Sequence, residues 1–121
     1  DAAAANPVKG YKNLMYTLHF YAGTHGEDYR KKAQAALDKK LPLFVSEFGI
    51  SDASGDGNLN KAEGEKWMKF LKKNKISYMG WSLSNKSESS ALLKASSNKT
   101  SNWKSGDLTT WGKWLLKQFK K

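Results

Sequence analysis

Three short runs rich in aromatic and β-branched residues recur along the chain, and each is followed by a stretch with the period of an amphipathic helix. The runs are LMYTLHFY at Leu14–Tyr21, LPLFVSEFGIS at Leu41–Ser51 and ISYMGWSL at Ile76–Leu83. After the first, a helix is predicted from Glu27, with Glu27 and Asp28 at its start, Tyr29, Ala33, Ala36 and Leu37 on its apolar face, and Lys39 and Lys40 at its end. Pro42 stops it and opens the second strand. The second helix runs from Lys61 to about Asn74 with Trp67, Phe70 and Leu71 inward, and Asn60 with Glu63 fits a capping box at its start. A polar loop, Ser84–Gly106, precedes a last helix with Leu108, Trp111, Leu115 and Phe119 on one side, while Asp1–Gly10 reads as an opening loop. No hairpin turn joins one strand run to the next. Alternation of this kind implies βα units, a parallel sheet and right-handed crossovers.

Two α/β architectures satisfy that pattern. An open doubly wound sheet usually carries a glycine-rich phosphate turn after its first strand, and GTHG at Gly23–Gly26 is too short for that fingerprint. A portion of a (β/α)8 barrel places its chemistry at the C-terminal ends of its strands. His19, Tyr21, Glu47 and Trp81 all fall there. A whole barrel takes about 250 residues, so a single domain spanning the 121 residues supplies only part of one.

Composition removes several classes of function. A chain that is 39% hydrophobic, with five Trp, five Tyr and five Phe, is a folding chain and not a disordered one. No apolar run approaches a membrane span. The absence of cysteine excludes a disulfide framework and a thiolate metal site. The net charge of +10 gives a cationic surface. Its lysines, Lys31, Lys32, Lys72, Lys73, Lys120 and Lys121 among them, are scattered without an arginine-rich stripe, which describes a solvated face. Neither nucleic acid nor a membrane is expected as a partner.

A carboxylate at the end of an apolar strand requires an ionic partner or a place at a mouth. By itself Glu47 reads equally as a strand-end salt bridge; the other two strand ends favour a site. A carboxylate flanked by imidazole, phenol and indole suits a sugar, because aromatic faces stack on pyranose rings and a carboxylate can attack or stabilise an anomeric carbon. Glycoside hydrolysis needs a second carboxylate, about 5–5.5 Å away in retaining enzymes. Glu63, at a helix start, and Glu88, in a loop, are not obvious partners. Trp67, Trp111 and Trp114 lie at helical spacing and are assigned to packing. His25 reads as a loop residue at a cleft rim, and Trp103 as either a surface anchor or a distal sugar contact.

The runs NLMYTLHFYAGTHG (Asn13–Gly26), FVSEFGISDASGDG (Phe44–Gly57) and GWSLSNKSESSALL (Gly80–Leu93) closely resemble the last three βα units of glycoside hydrolase family 5 cellulases of the bacterial endoglucanase type. The resemblance covers nearly the whole chain, in family order and spacing. It implies strands six to eight of a (β/α)8 TIM barrel and a retaining endo-β-1,4-glucanase, secreted, without a cofactor. Glu47 matches the nucleophile. His19 and Tyr21 match the pair that positions and polarises it, Tyr21 as hydrogen-bond donor to the carboxylate. Trp81 resembles the stacking platform on the glycone side, Lys86 and Glu88 resemble residues that bind sugar hydroxyls, and Ala53 corresponds to a backbone position near the same subsites.

The departure from the family is equally informative. The family's acid/base glutamate lies in an Asn-Glu-Pro stretch after the fourth strand, and this sequence has no such stretch. By the resemblance Asp1 falls just after the fifth strand. The expectation is a C-terminal portion, inactive alone, whose partners are a β-1,4-glucan and the N-terminal portion of the same enzyme. A rival reading is a non-catalytic polysaccharide- or calcium-binding module: Asp52, Ser54, Asp56, Gly57, Asn60 and Glu63 match the spacing of an EF-hand loop. That loop is entered from a strand, and Glu63 is already claimed by the capping box.

Overall fold

A computed structural model describes residues 2–120, so Asp1 and Lys121 lie outside the described residues. The elements are α1 (Ala2–Ala5), β1 (Tyr16–Tyr21), α2 (Glu27–Asp38), β2 (Leu43–Gly49), α3 (Lys61–Lys73), β3 (Tyr78–Gly80) and α4 (Thr110–Gln118). The three strands form one parallel sheet in sequence order, β1-β2-β3. Each strand therefore lies beside its predecessor, one step in a constant direction, as in a barrel wall.

One face of the sheet is packed by helices. Phe20, Val45 and Phe48 point into it and are fully buried with Trp67 and Leu71 of α3 and Trp111 of α4. The Phe20 and Trp67 rings stack at 3.9 Å between centroids, and Phe48 meets Trp111 edge-on at 5.3 Å. Buried Ala33 and Ala36 present the small side of α2 to the same core. The other face is open, with Met15 57%, Met79 56% and Trp81 42% exposed. Both sheet edges end in grooves, lined by Ala3, Tyr16, Leu18 and Leu41 at β1 and by Met68, Tyr78 and Phe119 at β3. Among the described residues no helix is long and apolar enough to cross a membrane.

Several boundaries differ from expectation for identifiable reasons. Ala2–Ala5 is helical, not a loop: alanine is the strongest helix former, and Asn6 N–H closes the turn on Ala2 O at 2.9 Å. The third strand stops at Gly80 because the chain then bonds elsewhere. Trp81 N–H still donates to Phe48 O at 2.8 Å, but Ser82 pairs with Ser90 and Leu92 in the following loop, and the Trp81–Ser82 peptide is cis. Leu108 precedes the last helix, since Thr109 Oγ1 caps it by accepting from Gly112 N–H at 3.0 Å. Phe119 is 56% exposed and stacks on Tyr78 at the sheet edge. The capping box is half formed. Asn60 Oδ1 accepts from Glu63 N–H at 3.0 Å, but the Glu63 carboxylate pairs with Arg30 and Lys66, and Asn60 N–H donates to Ile50 O instead.

Candidate active site

The register of β2 explains how an acid reaches the open face. Thr17 lies opposite Phe44 and His19 opposite Glu47, while on the other side Val45 lies opposite Tyr78 and Phe48 opposite Gly80. In both pairings β2 advances three residues while its neighbour advances two, which is a β-bulge with one extra residue at Ser46–Glu47. In a regular strand continuing from Val45, Glu47 would enter the core and Phe48 would leave it. The bulge puts Ser46 and Glu47 together on the open face and returns Phe48 to the aromatic core.

Three side chains of β1 meet them. Tyr21 Oη donates to Glu47 Oε1 at 2.7 Å, and His19 Nδ1 stands 3.7 Å from Glu47 Oε2. On the far side of the imidazole, His19 Nε2 lies 2.8 Å from Ser46 Oγ, which also touches Thr17 Oγ1. The Glu47 side chain is 24% exposed and that of His19 48%, so the pair is reachable from solvent. Burial, together with the hydrogen bond and charge of Glu47 and the charge of Glu88, drives the Tyr21 hydroxyl well above the ordinary phenol range. It is a neutral donor at every working pH. Tyr21 has room because its strand partner is Gly49: a Cβ there would meet Tyr21 Cε1 at 2.8 Å.

The remaining expected residues are placed around this centre. Trp81 is half out in solvent, not core, and its carbonyl is pinned by Trp111 Nε1–H at 2.8 Å. Glu88 is half-buried, accepts from Ser90 Oγ at 3.1 Å, and acts electrostatically on Tyr21. Lys86 and Glu88 line a shallow depression with Asp56 and Ser89. Ala53 N–H is taken by Thr24 Oγ1 at 2.9 Å. Trp103 donates Nε1–H to Lys99 O at 2.9 Å in the loop before α4.

His25 is a half-buried residue of the loop between β1 and α2. Its Nδ1 accepts from Tyr21 N–H at 2.9 Å, its ring stacks on Tyr29 at 4.4 Å, its carbonyl accepts from Trp67 Nε1–H, and burial lowers its pKa. Several residues at the calcium-loop spacing take other partners. Glu63 is held by Arg30, while Asp56 Oδ1 accepts both Ser89 N–H and Ser89 Oγ–H, which keep its carboxyl below the usual range. Ser54 Oγ bonds only locally, to Asp56. Among the described residues no three His, Cys, Asp or Glu side chains converge as a metal would require. Thr17, Ser46 and Gly49 belong to the site without any motif that marks them. Ser46 is a visible polar residue beside the acid, but its face depends on the bulge.

The chain matches the family model described as Cellulase (glycosyl hydrolase family 5) over residues 1–87. It is 47% identical over 117 residues to an endoglucanase of Clostridium saccharobutylicum, covering 97% of this chain and 26% of that protein. A solved structure from Cytophaga hutchinsonii superposes with a TM-score of 0.91 at 43% identity, covering 98% of this chain and 40% of that one. The catalytic domain of a Thermobifida fusca endoglucanase, solved with cellotetraose, superposes with a TM-score of 0.87 at 28% identity, covering 99% and 39%. The chain thus spans about a quarter of the curated relative and two-fifths of the solved domains. Those domains are TIM barrels, and the three parallel βα units seen here are a portion of that architecture. With the family model covering most of its length, the chain belongs to the cellulase family of glycosyl hydrolases, family 5.

Proposed function

We propose that this chain is a portion of a retaining endo-β-1,4-glucanase and that Glu47 is its nucleophile. The observation that carries the reading is the placement of Glu47 on the open sheet face, at the C-terminal end of the central strand, with Tyr21 holding Oε1 and His19 beside Oε2. Its relatives point the same way, being named endoglucanases, one of them solved with a cello-oligosaccharide. In this mechanism Glu47 attacks the anomeric carbon while an acid protonates the departing oxygen; water then cleaves the glycosyl ester, and two inversions leave the configuration retained. The neutral phenol of Tyr21 orients the carboxylate and never competes with it for negative charge.

The sugar platform is Trp81, whose exposed indole lies one residue beyond β3, and Lys86, Glu88 and the Ala53 backbone surround the same mouth. The acid/base glutamate comes from an N-terminal portion, which also pairs with the open edges of β1 and β3. A polymer too large to enter a cell sets an extracellular location.

The test is activity on carboxymethylcellulose by this chain combined with its N-terminal portion, beside the chain alone. The chain alone is expected to be inactive, the combined protein active, and Glu47→Gln in the combination slower by roughly 10⁴-fold. A Glu47→Gln protein of normal activity overturns the assignment.

A further inference from the structure

We infer that Ser46 is a positioning residue that locks His19 in its Nδ1–H tautomer, through a one-way chain of hydrogen bonds running from Thr17 to Ser46 to His19 and on toward Glu47. The catalytic consequence rests on the reading of Glu47 above; the tautomer itself does not.

The direction of the chain follows from counting hydrogens. A neutral imidazole carries one N–H and one lone pair, and a carboxylate only accepts. His19 Nδ1 faces Glu47 Oε2 at 3.7 Å. A lone pair there would oppose the carboxylate oxygen, so the proton sits on Nδ1 and its positive end points at Glu47. Nε2 is then the acceptor, and the hydroxyl 2.8 Å away is that of Ser46. Ser46 has one hydrogen, now directed at His19, so its lone pair receives the Thr17 hydroxyl that touches it. Reversing a single link sets two lone pairs or two hydrogens against each other, and reversing all of them satisfies both hydroxyls but leaves the bare Nδ1 lone pair facing the Glu47 carboxylate, so it is the charge of Glu47 that selects the direction. The bulge is what makes the chain possible, since it places Ser46 and Glu47 in succession on one face and lets them address the two nitrogens of one ring.

The second histidine supplies an internal control. His25 Nδ1 accepts from Tyr21 N–H at 2.9 Å, and a backbone amide can only donate. Neutral His25 therefore carries its proton on Nε2. The two histidines of the chain are held as opposite tautomers by opposite kinds of neighbour.

The experiment is 15N NMR of the imidazole nitrogens, at a pH where both rings are neutral. In the parent protein His19 is expected to show a protonated Nδ1 and a bare Nε2, and His25 the reverse. Ser46→Ala should draw the two His19 nitrogen shifts toward each other as the tautomers mix, leaving His25 unmoved, and Ser46→Thr should restore the parent pattern by restoring the hydroxyl. In the combined active enzyme Ser46→Ala should lower kcat about tenfold, the worth of one hydrogen bond, with KM unchanged. A parent spectrum with His19 protonated on Nε2 overturns the proposal without any variant having to fold, and so does a folded Ser46→Ala protein whose His19 shifts do not move. Either result leaves the nucleophile assignment intact, whereas an active Glu47→Gln enzyme removes that assignment and leaves the tautomer standing.

Discussion

The two faces of this sheet use similar residues for opposite ends. On the helix side Phe20, Phe48, Trp67 and Trp111 are wholly buried and mutually stacked, so the aromatics act as volume. On the open side Trp81 is exposed, Tyr21 is fixed by one carboxylate, and His19 and Glu47 remain accessible. Burial there is incomplete, so polar groups keep a water-facing side and are held by single directed hydrogen bonds. The lesson is a division of labour within individual strands. Alternate residues of β1 and β2 supply cohesion and chemistry, and a one-residue bulge switches Glu47 from the first role to the second.

The largest effect that separates the faces is on stability. Trp67→Ala removes a fully buried indole stacked on Phe20 and breaks its hydrogen bond to His25 O. It should cost about 3–5 kcal/mol in urea unfolding, while Met79→Ser on the open face should change the same measurement by less than about 0.5 kcal/mol. A large loss at Met79 would mean that the open face is covered in solution by another copy of the chain. Gly49→Ala probes the seam between the faces. Its methyl would enter the space of the Tyr21 ring, within 2.9 Å of both Cδ1 and Cε1, and the phenol must swing away from Glu47. We expect about 1–3 kcal/mol of destabilisation, the usual range for overpacking. In the active combination kcat should fall as well, on the order of tenfold. Stability lost with kcat untouched would show that the contact between Tyr21 and Glu47 does not orient the carboxylate.

What could be read from the sequence was what local periodicity encodes. Strand, helix, strand succession, the apolar faces of α2 and α3, and the clustering of His19, Tyr21, Glu47 and Trp81 at strand ends all follow from spacing along the chain, and the structure brings the first three of those side chains into contact. The parts that were not legible depend on partners far away in sequence. Glu63 fitted both a capping box and a calcium loop, until Arg30, 33 residues distant, took its carboxylate. Asp56 has the spacing of a cation ligand, yet Ser89, again 33 residues away, occupies it. The bulge is the deepest omission. A single extra residue leaves no trace in composition, but it decides which face every later side chain of β2 occupies.

The finest difference between the faces is electrostatic, and Tyr21 measures it. Its hydroxyl ionises only well above the usual phenol value because burial and the neighbouring Glu47 penalise the anion. Below about pH 10, the ordinary phenol value, folded and unfolded chains both keep the proton and this contribution to stability is complete. As pH rises past that point the unfolded chain releases the proton while the folded chain retains it, so the folded state loses ground. Tyr21→Phe removes both the hydrogen bond and the titration. At pH 7 the variant should be less stable than the parent by about 1 kcal/mol. That gap should shrink as unfolding is followed toward pH 10.5, because only the parent carries the alkaline loss from Tyr21. A gap that stays constant from pH 7 to pH 10.5 would place the phenol in an environment like water. Tyr21 would then belong with Met79 among the exposed residues, and the link between the packed core and the carboxylate would have to run through His19 alone.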